Sequence, residues 1–190
     1  MRPNRARDRG AQAAPVCSGV ALLGRYHAVT TAQIAECAGV TERTYFRHFP
    51  DKREVLFDGE NRLAEALTAA LADVPPGIPV LLTLRQAFDA VVPMLEKNHP
   101  VSEPLLRIIA WRPPALWERA AAKDARLVEM LAVALTGRGT DEGLAVVATR
   151  AAWGALGQAV RRKMADPIGG LHSQVDLAFE QLREAVAALD

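Results

Sequence analysis

Residues 29–54 read VTTAQIAECAGVTERTYFRHFPDKRE and hold three helix starts in succession. Thr30 with Gln33 is a capping box: the hydroxyl accepts from an orphan backbone N–H, and the amide reaches back to the cap. Thr41 repeats the hydroxyl cap with Thr44, rather than Glu or Gln, in the third place. Asp51 with Glu54, directly after Pro50, is an acidic version of the box. Ala38-Gly39-Val40 separates the first two starts, and Gly39 suits the left-handed position that closes a helix. Two helices of about eight residues joined by a short Gly-containing turn make a helix-turn-helix. In this reading Ile34, Ala35, Val40, Phe46 and Phe49 form the shared core. Glu42, Arg43, Thr44, Tyr45, Arg47 and His48 divide between the surface and the core edge. Five of these six side chains donate hydrogen bonds, which a helix in a DNA major groove requires.

The stretch TTAQIAECAGVTERTYFRHFPDKREVL resembles the DNA-binding signature of the TetR family of bacterial transcriptional regulators. The resemblance rests on the Thr start, Ile34-Ala35, Ala38-Gly39-Val40, Thr44, the aromatic at 46, Arg47-His48-Phe49 and Asp51-Lys52. It implies an all-α fold: an N-terminal three-helix helix-turn-helix DNA-binding domain over 1–53, then a helical ligand-binding and dimerisation domain over 54–190. It also implies a homodimer on a palindromic operator duplex. Arg43, Thr44 and Tyr45 are expected at base edges or in the groove. Thr31, Arg47, His48 and Lys52 are expected at phosphates, with Thr41 capping the recognition helix beside them. The family often has Tyr at position 46, whose hydroxyl reaches a phosphate; here the residue is Phe46.

Charge agrees with a division of labour. Residues 1–53 carry nine Lys/Arg against four Asp/Glu, or +5, and residues 54–190 carry fourteen against eighteen, or −4. A basic quarter on an acidic body suits an anionic partner for the first part. Met1–Ala14, with Arg2, Arg5, Arg7 and Arg9, reads as a basic arm or a solvated tail. No apolar run is long enough to span a membrane and no signal peptide is evident, so the chain reads as cytoplasmic. Cys17 and Cys37 are too few for a disulfide framework. They read as small buried hydrophobes, or alternatively as an oxidant-sensing thiol pair.

Half of the 190 residues are hydrophobic, and Ala and Leu dominate them, which favours helices around a sizeable core. About nine helices are expected. Pro15–Tyr26 is the first, with Val16, Val20, Leu22 and Leu23 on its apolar face. Asp51–Leu71 is a long helix ending at Val74-Pro75-Pro76-Gly77. Pro79–Asn98 should kink or split at Pro93, and residues 101–110 form a separate short helix. Helices from Pro114 to Leu135, from Thr140 to about Met164 and over Leu171–Leu189 complete the chain.

Two groups in the body invite function. Phe88, Met94, His99, Arg107, Trp111, Trp117 and Met130 are large or adaptable residues that suit a largely apolar cavity with a few polar groups, where the resemblance implies a small-molecule effector. On the last helix pair, Trp153, Gly157, Val175, Phe179 and Leu182 are the expected dimer contacts, with Trp153 as anchor. No HExxH, CxxC, phosphate loop or supported carboxylate pair occurs, and His27, His48, His99 and His172 are scattered. The chain therefore reads as a non-enzyme without cofactor or metal. The favoured reading is a repressor released by its ligand; the alternatives are control by a protein partner or by cysteine oxidation, and a small helical enzyme.

Overall fold

The computed structural model describes residues 30–48, 58–110, 114–166 and 169–188, with side chains outside 48, 58–61 and 97–116. These residues form seven helices and no strand: α1 Thr31–Cys37, α2 Glu42–His48, α3 Asp58–Asp73, α4 Val80–Ala110, α5 Pro114–Gly137, α6 Glu142–Ala165 and α7 Leu171–Ala187. The expected helix Pro15–Tyr26 and the start of the one expected from Asp51 lie outside the described residues. The chain divides into two compact units, Met1–Asn61 with Asn98–Ala120, and Arg62–Lys97 with Ala121–Asp190.

One expectation is corrected. α4 is a single helix of 31 residues that runs through Pro93, Pro100 and Pro104, with no break between 98 and 101. An interior proline removes one N–H donor and costs about 3 kcal/mol. Around Pro93 that cost is offset by neighbouring turns: Phe88, Val91 and Val92 are all buried, while Pro93 itself is exposed. Each such side chain contributes about 1.5–3 kcal/mol when removed from water.

The second unit is built on one apolar core. Leu67 and Leu71 of α3 meet Leu84, Ala87, Phe88, Val91 and Val92 of α4 in the same cluster as Leu127, Leu131 and Leu135 of α5. α6 adds a stripe of small residues, Ala145, Ala148, Ala152, Ala155 and Ala159, and α7 adds Leu171, Val175 and Ala178. The spacings of three and four put each set on one helical face. At the centre, the Phe88 ring lies edge-on to Trp153 (6.3 Å, 70°) and to Phe179 (6.1 Å, 69°).

Polar residues close the helix ends. The Arg138 guanidinium donates to the carbonyls of Ala72, Val74 and Pro75, which α3 leaves without helical partners at its C-terminus. Gly77 (φ 83°) and Gly139 (φ 92°) take the left-handed conformation that these turns need. α7 has no side-chain cap of its own, and Glu96 Oε1 of α4 accepts from the Leu171 N–H at 2.9 Å. Arg85 pairs with Asp89 at 3.0 Å and with Asp176, and its guanidinium lies 5.4 Å from the Phe179 ring centre.

Asp124 of α5 is an exposed residue whose carboxylate end is shielded on one side. That desolvation raises its pKa above the ordinary 3.8, and a hydrogen bond with Trp153 partly counters the rise. A raised folded-state pKa means that the folded chain holds the proton more tightly than the unfolded one. Stability is therefore lost as pH rises through the window above 3.8. Urea unfolding midpoints of Asp124→Asn and wild type should coincide at acid pH and separate above that window, with the variant the more stable. Curves that stay parallel throughout would exclude this linkage.

Candidate nucleic-acid interface

The local sequence shapes the first unit in the way its caps require. Thr30 has extended backbone, its hydroxyl accepts from Gln33 N–H at 3.2 Å, and Gln33 Oε1 accepts from Thr30 N–H at 2.9 Å. This capping box contributes on the order of 1 kcal/mol to α1. α1 ends at Gly39 (φ 67°), with Gly39 N–H on Glu36 O and Val40 N–H on Ala35 O, both at 2.9 Å. Thr41 Oγ1 then accepts from Thr44 N–H at 3.2 Å and starts α2. Thr31 Oγ1 donates to Glu42 Oε1 at 3.0 Å and links the first turns of the two helices.

The register of α2 differs from expectation by one residue. Tyr45 is 1% exposed and shares a core with Ile34, Ala35 and Ala38, against which Val40 packs. Phe46 is 49% exposed. The sequence alone favours Phe46 in the core and Tyr45 at the groove. The helical turn of about 100° per residue admits only one of two adjacent aromatics to the α1 side, and Tyr45 takes it. Tyr45 is thus an anchor, not a groove contact.

The other expected contacts fall as follows. Arg43 and Arg47 are exposed on α2, and Phe46 lies on the same exposed arc. Thr41 and Thr44 are joined through their hydroxyls at 3.0 Å and are engaged in the cap. Thr31 is committed to Glu42, an exposed carboxylate that the sequence reading did not single out. His48 closes α2, but its side chain, like Phe49 and Lys52, lies outside the described residues. Cys37 corrects the buried-hydrophobe reading: it is exposed and disulfide-bonded.

The expected ligand residues fall as follows. Phe88 is fully buried in the core, and Met94 and Met130 pack at its edge. Trp117 belongs to the other unit and is half exposed. The side chains of His99, Arg107 and Trp111 lie outside the described residues. A groove of about 690 Å³ does occur on α5 and α6, lined by Ala125, Val128, Ala132, Val133 and Val146 with Glu129, Glu142 and Arg150. None of the expected ligand residues lines it.

Of the expected dimer residues, Val175 is buried in its own chain and Trp153, Gly157, Phe179 and Leu182 are partly buried. Val175 is 0% exposed within its own chain, and the Trp153 and Phe179 rings are engaged with Phe88. Leu182 packs against the same core, and Gly157 is half-buried. The exposed apolar surface of α6 is Leu144, Val146 and Val147, the last 67% exposed, with exposed Gly154 seven residues on. No described helix is long and apolar enough to cross a membrane, and no group of three metal-ligating side chains occurs among the described residues.

Two short capped helices joined by a glycine turn make a helix-turn-helix motif, and it carries an outward pair of arginines. Comparison with known proteins agrees. A family model for bacterial regulatory proteins of the tetR family matches residues 25–58. The HTH-type transcriptional regulator TcmR of Streptomyces glaucescens is 41% identical over 71 residues, a stretch that covers 37% of this chain and only 31% of that relative. Among solved structures, FadR of Thermus thermophilus, a TetR-family transcriptional repressor in complex with lauroyl-CoA, is similar at TM-score 0.60 and 19% identity, over 94% of this chain and 93% of that one. The fatty acid degradation regulator FadR of Bacillus halodurans is similar at TM-score 0.65 and 17% identity, over 96% of each chain. At such identities these structures speak to the fold alone. Together the matches show a tetR-type segment over residues 25–58 and, for the chain, a fold similar to that of TetR-family regulators.

The register of α2 yields a prediction. Tyr45→Ala should cost about 3 kcal/mol in urea unfolding of this unit, as large-to-small core changes do. Phe46→Ala should stay within about 0.5 kcal/mol. The reverse ranking would mean that Phe46, not Tyr45, is the core residue.

Proposed function

We propose that the chain is a homodimeric repressor that binds a palindromic operator through α2 and leaves it when a small, largely apolar ligand binds residues 54–190. The observation that carries this reading is the exposed Arg43 and Arg47 on a helix pinned by buried Tyr45. Arg43 addresses base edges, where a guanidinium matches guanine O6 and N7. Arg47 and the basic residues of 1–53 address phosphates. The domain division at 53/54 belongs to this reading, as do the phosphate roles of His48 and Lys52.

A two-fold operator requires two copies of α2. The exposed Leu144, Val147 and Gly154 of α6 are the surface through which a second copy docks. Ligand release requires unequal affinity for the two states of the dimer. The lauroyl-CoA bound to one structurally similar protein supports an effector with substantial apolar surface, without identifying it.

One observation favours a second reading, control by cysteine oxidation. Cys37, in the last turn of α1, is disulfide-bonded, and the only other cysteine of the chain is Cys17. Disulfides are rare in reducing cell interiors and there tend to be redox-sensing. Equal operator affinity with and without dithiothreitol would remove this reading.

Fluorescence anisotropy on duplexes from the DNA flanking the gene tests the main reading. Specific binding should fall steeply with salt, and Arg43→Ala should weaken it unequally across operator variants, by about tenfold or more at the preferred base. Equal, weak binding to flanking and unrelated DNA would refute it. In sedimentation, Val147→Glu should give folded monomers; an unchanged dimer would move the interface elsewhere.

A further inference from the structure

We propose that Phe46 is a specificity residue that reads the 5-methyl group of a thymine in each operator half-site. The inference rests on the DNA-binding reading above and goes beyond it. Four observations carry it. Phe46 is half exposed, on the outward arc of α2 with Arg43 and Arg47. Its ring is held edge-on against the buried Tyr45 ring, with centroids 5.5 Å apart at 88°, so it is a braced surface and not a loose one. Tyr45 already fills the core position, so Phe46 has no place there. Finally, a phenyl ring has no hydroxyl and makes no hydrogen bond to a phosphate.

The two arginines determine the kind of partner. Positive charge on both sides of the ring favours a polyanion over a basic protein surface, and the one acid on the same arc, Glu42, accepts a hydrogen bond from Thr31. Within the major groove the one apolar group at the base edges is the thymine methyl, and phenylalanine is among the side chains that contact it. The position within the half-site follows from helix geometry. Arg43 and Phe46 are three residues apart, about 4.5 Å along the helix, while base pairs rise about 3.4 Å. The thymine therefore lies one or two base steps from the pair that Arg43 addresses.

The test starts with selection of binding sites by the full chain from random duplexes. Each thymine of the selected half-site is then replaced in turn by uracil, which deletes only the methyl. One replacement should weaken wild-type binding by about fourfold per half-site, and by about fifteenfold when made in both, the value of a buried methyl-sized group. Phe46→Ala should bind thymine and uracil duplexes equally, while Phe46→Leu, which keeps an apolar side chain, should retain most of the discrimination. Equal affinity of the wild type for both duplexes at every position would overturn the proposal even if Phe46→Ala weakens binding, because the ring would then touch sugar and not methyl. Selection that enriches no two-fold site overturns the DNA-binding reading itself, a result distinguishable from failure at the thymine alone.

Discussion

Burial of the Tyr45 side chain against Ile34, Ala35 and Ala38 is the constraint on which the DNA-binding unit depends. α1 and α2 have seven residues each, too short to be stable alone. Their caps supply the ends, Gly39 supplies the turn, and among the described residues of α2 Tyr45 is the buried side chain that sets how the helix is rotated about its axis. With Tyr45 inward, Arg43, Phe46 and Arg47 face outward. A rotation by one residue would bury Phe46 instead and carry the arginines round with it. The chemistry presented on the outward face of α2 is thus decided by a residue buried on the opposite side.

The second unit solves a different problem. Its α6 face is mostly alanine, so packing there relies on close helix approach rather than on large side chains, and the volume is supplied by Phe88, Trp153 and Phe179. Such a core leaves helix ends to be closed by reach from elsewhere in the unit. Arg138 does so for α3, and Glu96 does so for α7. Arg85 ties α4 to α7 beside the aromatic cluster. With the Trp153 ring engaged by Phe88, Leu144, Val146, Val147 and Gly154 are exposed on α6.

Much of this was legible in the sequence, for physical reasons that differ from place to place. The capping box at Thr30, the hydroxyl cap at Thr41 and the left-handed Gly39 are local, and local chemistry is readable in one dimension. The choice between Tyr45 and Phe46 was not, because adjacent aromatics in a seven-residue helix leave periodicity undecided. The continuity of α4 through its prolines was also hidden, since the buried side chains that offset a lost hydrogen bond come from tertiary packing. Trp153 packs on Phe88, and a Trp among small residues suits a contact within a chain as well as one between chains. Glu96 and Arg138 act across 75 and 66 residues of sequence, and no local pattern marks them. Cys37 carried no visible sign of its bond, as spacing alone does not pair cysteines.

The central claim is that α2 presents its outward arc to a two-fold DNA site. Hydroxyl-radical footprinting of the full chain on the DNA flanking its gene tests it most directly. The account predicts two protected patches on one face of the duplex, about one helical turn or a multiple of it apart, both lost in the Arg43→Ala, Arg47→Ala double variant. A folded dimer that leaves every position of the flanking DNA equally cleaved would contradict it.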